Sequence, residues 1–317
     1  MKTYEMSDEE KKFLAGYDLT KYDRPSVAAD VVVFSVMKDD ECEDVRRLQE
    51  KKLKILLIRR GGFPYKGSWA MPGGFCRKGE DVIDSARREL CEETGIDDAY
   101  VKLVGVYGEP DRDPRGWVIS STYMALMNGR DCRLKAGDDA QDARWFTVEL
   151  TDVSTEVTEA AEVSGIGVEI VKNEVEASHE VQNVKRYRLV LKNADSDIKL
   201  TAVLRRTDMS SCERSSDSYD IEECEGLAFD HARIITEAVL GLREDVRRDM
   251  ELAFDLLPER FTLTELQNVY EQIWDMELTT PNFRRKIAEY VEETDAYQSG
   301  ERYRPAKLFM RRKDARK

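Results

Sequence analysis

The residues most able to do chemistry lie between Gly74 and Ile96. The run reads Gly74-Phe-Cys-Arg-Lys-Gly-Glu80-Asp-Val-Ile-Asp-Ser-Ala-Arg-Arg88-Glu89-Leu90-Cys-Glu92-Glu93-Thr-Gly95-Ile96. On a helix turning ~100° per residue, Arg88, Glu89, Glu92 and Glu93 fall within roughly 140° of one another. Glu89 and Glu93 are i,i+4 neighbours, so their carboxylates stand side by side and repel. A solvated helix face gains nothing from that repulsion. A divalent cation would turn it into coordination, and an all-oxygen donor set suits Mg²⁺ or Mn²⁺. Arg88 and Glu92 are also i,i+4 neighbours, so the guanidinium can orient one of the acids.

The elements that must carry these groups are legible on either side. The spacing predicts a helix from Val82 to Thr94, with Val82, Ile83, Ala86 and Leu90 as its buried stripe and Gly95 as its stop. Gly74 and Gly79 permit the tight loop before it. Strands are expected at Ala28–Val36, Leu53–Arg60, Val101–Tyr107, Val118–Met127 and Ala143–Phe146. The apolar run of the second suggests burial on both faces. A turn-rich loop, Glu109-Pro-Asp-Arg112-Asp113-Pro-Arg115-Gly116, separates the third and fourth. Residues 1–27 read as an N-terminal arm with a short acidic helix. Residues 151–225 are acidic and differ in texture, with strands at Val184–Leu191 and Ile198–Arg206 joined by a hairpin turn. They read as a β-rich insertion within a first domain spanning 28–245.

The Gly74–Ile96 run matches the Nudix box, G-x5-E-x7-R-E-U-x-E-E-x-G-U, at every fixed position, and on it the chain is identified as a member of the Nudix family. The resemblance implies an α/β/α sandwich that hydrolyses a nucleoside diphosphate linked to another moiety. It implies Glu89, Glu92 and Glu93 as metal ligands or the base side of the site. It places Glu80 in the metal shell with Gly74 beside it, and makes Arg88 the residue that positions the glutamates. The flanks, Arg59-Arg60-Gly-Gly-Phe63 through Trp69 and Tyr107 through Ser120, resemble ADP-ribose pyrophosphatases and the Nudix-related regulators of NAD metabolism. They imply Arg60, Arg112, Asp113 and Arg115 as substrate-binding residues. Arg112 and Arg115 could bind phosphate oxygens in bidentate fashion, and Asp113 could accept ribose hydroxyls. The alternative for this loop is a β-turn closed by a surface ion pair. Asp230 can cap a helix from His231 to about Arg243, with His231 as a structural hydrogen-bonding residue. Trp69 and Trp145 read as core. The acidic loop Gly137–Asp142 could lend a further carboxylate, or be only solvated.

From Val246 onward the pattern changes to helices and a basic hairpin, assigned to a second domain over 246–317. Apolar residues recur at helical spacing from Val246 to Leu257. Thr262-Leu-Thr-Glu265 is a capping box, and Thr280-Pro281 opens a third helix running to about Glu293. Three helices and a hairpin describe a winged helix-turn-helix. Arg284, Arg285 and Lys286 would stand at the groove-reading helix, and Arg302, Arg304 and Lys307 on the wing. Phe261-Thr-Leu-Thr-Glu-Leu-Gln and Asn282-Phe-Arg-Arg-Lys-Ile again resemble the regulators of NAD metabolism. Those regulators often carry a degraded box, whereas this one is complete, and the 151–225 insertion is not typical of them.

Composition bounds the rest. The 317 residues carry a formal charge of -14, which argues against a protein that coats nucleic acid indiscriminately, yet residues 281–317 are basic. Six scattered cysteines without CxxC spacing and two histidines give no basis for a zinc site. No apolar run approaches the ~20 residues that span a bilayer, and the start lacks the apolar core of a signal peptide, so a cytoplasmic protein with no membrane partner is expected. Two functions follow. The first is Mg²⁺-dependent hydrolysis of ADP-ribose, or a related compound, to AMP and a sugar phosphate. The alternative is an ADP-ribose-sensing regulator that binds operator DNA, as a homodimer on a two-fold site.

Overall fold

A computed structural model describes residues 6–38, 51–96, 99–129, 140–160, 180–210, 215–300 and 303–312. The arm carries α1 (Asp8–Ala15), opened by a capping box between Ser7 and Glu10. There follow β1 (Ser26–Lys38), β2 (Lys51–Arg60), β3 (Trp69–Ala70), β4 (Gly73–Phe75), α2 (Val82–Thr94), β5 (Tyr100–Tyr107) and β6 (Val118–Leu126). Then come β7 (Ala140–Ala160), β8 (Glu180–Asn193), β9 (Ile198–Ser210), β10 (Ser215–Glu225) and α3 (His231–Arg248). Strands β1 to β10 form one mixed sheet in the order β10-β9-β8-β7-β2-β1-β6-β5. β3 pairs with β2 and β4 with β1, and the β1–β6 pair is parallel.

Both faces of the sheet are covered, and the period-two alternation of β1 shows how. Ala29, Val31 and Val33 point into a core with Ala86 and Leu90 of α2. Val32, Phe34 and Val36 point the other way, into a core with Ile234, Ile235, Ala238 and Val239 of α3. Full burial of a side chain such as Leu90 contributes roughly 2 kcal/mol. The sheet therefore lies between α2 and α3, an α/β/α sandwich. The stretch expected as an insertion extends that sheet. Tyr187, Leu189 and Leu191 of β8 with Leu200, Ala202 and Leu204 of β9 join the α3-side core. The curl is strong enough that both edges reach α3. Lys102 of β5 pairs with Asp245 at 2.6 Å, and Arg233 stacks 5.9 Å from the ring of Tyr219 on β10.

The C-terminal part contains α4 (Leu263–Trp274), α5 (Thr280–Ile287), β11 (Val291–Gly300) and β12 (Tyr303–Arg311). Leu266, Val269, Tyr270, Ile273, Phe283 and Ile287 form its core, which is continuous with the α3-side core. Two expectations shift. The helix expected from Val246 to Leu257 is instead the end of α3 followed by 3-10 turns over Met250–Leu256, because the Asp249 carboxylate accepts from Glu251 N–H and restarts the chain there. The third helix stops at Ile287 rather than near Glu293, because Val291–Glu293 pair with Phe309–Arg311 in the hairpin. The module is tied to the sheet by Lys51–Glu265 at 3.0 Å and to α3 by Trp274 Nε1, which donates to Arg243 O at 3.3 Å. Among the described residues no helix is long and apolar enough to cross a membrane.

Candidate functional site

Asp81 caps α2 by accepting from Ile83 N–H, and Gly95, at φ 78°, ends it in the left-handed region that favours glycine. The buried stripe holds the helix against the sheet, so its acids emerge over the Gly73–Gly74 strand. Arg88 is the hub of the exposed face. Its Nε donates to Glu80 Oε1 at 2.7 Å and its Nη2 to Glu80 Oε2 at 3.0 Å. Nη1 donates to Glu89 at 2.6 Å and to Glu92 at 3.1 Å. The Arg88 guanidinium, helped by the Ser85 hydroxyl, holds the Glu80 carboxyl at about 2, well below its ordinary value.

Glu93 stands apart from this hub and accepts from Gly73 N–H at 2.8 Å. Burial, then repulsion from Glu89 and Asp30, push its carboxyl up to about 8 against that bond. Gly74 is required by the Glu89 carboxylate, which lies 2.6 Å from where a Cβ at Gly74 would stand. Among the described residues no three acids are gathered closely enough to hold an ion as they stand, because Arg88 engages Glu80, Glu89 and Glu92. The donor chemistry nevertheless fits a hard divalent cation. The Glu93 and Glu89 carboxylates border Gly73 and Gly74 and offer oxygen donors, and a cation between them would offset both the burial of Glu93 and its repulsion from Glu89.

On the other side of Gly73–Gly74 lies a cleft of ≈ 80 Å³ lined by Asp30, Arg60, Arg112, Asp113, Arg115, Phe229 and neighbouring residues. Phe229 is its floor. The Arg60 guanidinium sits 4.8 Å and that of Arg115 5.5 Å from its ring. Phe229 has φ 52°, a costly conformation for a bulky residue, of the kind found where a site fixes a side chain. Arg115 also lies 4.8 Å over the half-exposed ring of Phe75. Burial and the facing Arg115 lower the pKa of Arg60. Two guanidiniums thus share one recess, which favours an anion between them.

The loop arginines separate in role. Arg112, only 6% exposed, makes a bidentate pair with Asp230 at 2.8 and 2.9 Å. Asp230 therefore does not cap α3 with its side chain. Arg115 is closed on Asp113 at 2.6 and 2.9 Å, and Asp113 also accepts from Arg115 N–H at 2.9 Å. Burial raises the Asp113 carboxyl, but the Arg115 bonds outweigh it and the net shift is downward. His231 Nδ1 accepts from Met71 N–H at 3.0 Å, a structural hydrogen bond. Trp69 is core, packed edge-on against Phe146 at 4.8 Å, and Trp145 is partly buried beside the α2-side core. Of the acidic loop, 137–139 lie outside the described residues, and Asp142 pairs with Arg144. Asp30, Phe75 and Phe229 also line the cleft, and no motif spacing marks them. A charged residue inside the apolar run Ala28–Phe34 was a signal for Asp30. Nothing in the sequence marked Phe229.

In the C-terminal module Arg284, Arg285 and Lys286 are exposed on α5. Lys307 pairs with Glu293 across the hairpin. Arg302 lies outside the described residues, and of Arg304 only the backbone, in β12, is described.

A helix-borne acid cluster on a two-sided mixed sheet, joined to two helices and a β-hairpin, defines an α/β/α domain with a winged-helix module. The comparisons agree. The NUDIX domain model matches residues 44–164, and that of the NrtR DNA-binding winged helix domain matches 253–310. The ADPR responsive transcriptional repressor NtrR of Acinetobacter baylyi is 29% identical over 304 residues, 95% of this chain and 87% of the relative. The ADP-ribose pyrophosphatase of Methanocaldococcus jannaschii is 42% identical over 139 residues, 43% of this chain and 72% of the relative. The crystal structure of a MutT/nudix family protein from Enterococcus faecalis superposes with a TM-score of 0.61 at 25% identity, covering 96% of this chain and 93% of that one. The chain belongs to the Nudix family and carries an NrtR-type winged helix domain.

Proposed function

We propose that this chain is a nucleotide-responsive DNA-binding regulator, in which the Nudix cleft binds ADP-ribose and the winged helix binds operator DNA. The observation that carries the reading is the Arg112–Asp230 pair. It fastens the loop at the cleft to the N-terminus of α3, and the C-terminal half of α3 is bonded to α4 through Arg243 and Trp274. One helix therefore joins the anion recess to the DNA-binding module. Arg60 and Arg115 would take the diphosphate, with Phe229, Phe75 and Tyr65 offering ring faces to the base or sugar. Arg284, Arg285 and Lys286 would meet the DNA. The similarity to a repressor described as ADPR-responsive, along 95% of the chain, supports this reading. The test is DNA binding by the full chain to the region upstream of its own gene, followed by fluorescence anisotropy with and without ADP-ribose. The reading expects a nucleotide-dependent change in affinity. Affinity that ADP-ribose leaves unchanged would overturn it.

A second activity is favoured by the complete acid set. Glu89 and Glu93, with the carbonyl of Gly74, would hold Mg²⁺ or Mn²⁺, and Arg88 would hold Glu80 and Glu92 in reserve around them. When bound, the metal supplies charge neutralisation at the pyrophosphate and an acidified water. The chain's own residues orient the nucleotide through Arg60 and Arg115 and keep Glu93 buried beside the scissile region. Hydrolysis would yield AMP and ribose 5-phosphate, and slow turnover would reset the sensor. AMP release measured with Mg²⁺ should fall at least ~10²-fold in Glu93→Gln; equal rates would remove the activity from the account.

A further inference from the structure

Asp30 is a buried carboxylate that neither the acid set nor the arginine loop employs. It lies in the middle of β1 on the α3-facing side, and is 9% exposed. One oxygen, Oδ2, accepts from the Ser120 hydroxyl of the neighbouring strand β6. The other, Oδ1, abuts Gly73, where any Cβ would collide with it. Among the described residues no Lys, Arg or His forms an ion pair with Asp30. Arg60 and Arg115 feel its charge only at longer range. An isolated buried carboxylate is costly to a fold unless something pairs with it.

What could pair with it is bounded by its surroundings. Asp30 lines the cleft with Arg60, Arg112 and Arg115, whereas Glu89 and Glu93 do not line it. Arg112 and Arg115 are held by Asp230 and Asp113. The Arg60 guanidinium, which bonds the Pro64 carbonyl, faces the recess with no carboxylate bonded to it among the described residues; its positive charge disfavours a metal ion there. A phosphate would be repelled by the carboxylate and drawn instead to Arg60 and Arg115. The remaining class is an uncharged N–H or O–H donor attached to the anion those arginines hold.

We propose that Asp30 Oδ1 accepts a hydrogen bond from a neutral donor of the bound nucleotide, a sugar hydroxyl or the exocyclic amine of the base, and so determines which nucleoside diphosphate the cleft accepts. A site built around a buried acceptor rejects a ligand lacking the matching donor, because the acceptor is then left unpaired. Gly73 is part of the device, since its missing side chain leaves Oδ1 its space while its N–H serves Glu93. The assignment rests on the reading of the cleft as an ADP-ribose site.

The experiment is calorimetric binding to the full chain, wild type, Asp30→Ala and Asp30→Asn. The probes are ADP-ribose, inosine diphosphate ribose, which lacks the base amine, and the monodeoxy-ADP-ribose series, each member lacking one hydroxyl. In the wild type one deletion, and one only, should weaken binding by about 10- to 100-fold, as loss of a bond to a charged acceptor does. Asp30→Ala should bind ADP-ribose and that analogue within about 3-fold of each other. Asp30→Asn keeps a neutral acceptor and the contact with Ser120, so it should show an intermediate ratio; it carries the test should the alanine variant not fold. Wild-type discrimination retained in both variants, or equal weakening of every probe, would overturn the assignment while leaving the cleft reading intact. Failure of the wild type to bind ADP-ribose at all would instead sink the cleft reading, and this assignment with it.

Discussion

The pair that joins the cleft to α3 offers a quantitative handle. Arg112 is 6% and Asp230 14% exposed, and they are linked by two bonds of 2.8 and 2.9 Å. Asp230→Asn preserves the shape but leaves a buried guanidinium without its counter-charge. Breaking a buried pair from one side costs about 3 kcal/mol or somewhat more. Arg112→Met strands the acid instead, at a smaller cost because Asp230 is nearer solvent. The double variant removes both charges, so its loss should fall short of the sum by about 2 kcal/mol. In a chain of this size 3 kcal/mol corresponds to a fall in Tm of roughly 4–5 °C. Urea denaturation of the four proteins gives the cycle directly. Anisotropy on the same samples then asks whether the single variants still bind DNA but no longer respond to ADP-ribose. Additive losses, or a nucleotide response as large as that of the wild type in both single variants, would refute the argument that this pair couples loop to helix.

Two further outcomes follow from the same geometry. Burial lowers the pKa of His231 from 6.5 to about 4, so it is neutral in the fold and keeps its bond from Met71. Its contribution is fully present above pH 6.5 and is lost as pH falls towards 4, by roughly 3 kcal/mol in all. Between pH 7 and 4.5 the wild type should therefore lose more stability in urea titrations than His231→Asn, and parallel losses would contradict this. Gly73→Ala would drive a methyl group into Asp30 and the backbone of Ala29. It should lower stability by about 2 kcal/mol and weaken nucleotide binding as well, whereas wild-type behaviour in a thermal melt would contradict the packing described here.

How much of this was visible in the residues varies with the range of the interaction involved. The α2 helix, its stripe, its cap and its glycine stop are local, and the spacing of Val82, Ala86 and Leu90 shows them directly. The two-faced burial of β2 follows from its apolar run Ile55–Ile58. The capping box at Thr262 likewise appears as expected, with Glu265 and Thr262 exchanging bonds. What the residues do not disclose is long-range choice of partner. The type and loop of Arg112 suit either a phosphate or an ion pair, and its guanidinium pairs with Asp230, 118 residues later. Arg88 was expected to position glutamates, and it does contact Glu80, Glu89 and Glu92, but their division between Arg88 and the Gly73 strand depends on how α2 lies across β4. The charge of the stretch 151–225 sets it apart in the sequence as a separate texture. Its inward positions on β8 and β9 nevertheless continue one core, since alternation hides half of each strand from an average over composition. Phe229 depends on a strained turn that places a ring beneath two arginines, one from the end of β2 and one from the loop before β6.

The central claim is that Arg60 and Arg115, brought together over Phe229, form the seat of a nucleoside diphosphate. Titrating ADP-ribose calorimetrically into the wild type and into the Arg60→Ala, Arg115→Ala double variant tests it most directly. The account predicts one site per chain in the wild type, and a loss of at least ~10²-fold in affinity when both charge-assisted contacts are removed, with the fold retained by circular dichroism. Equal affinity in the two proteins would contradict it.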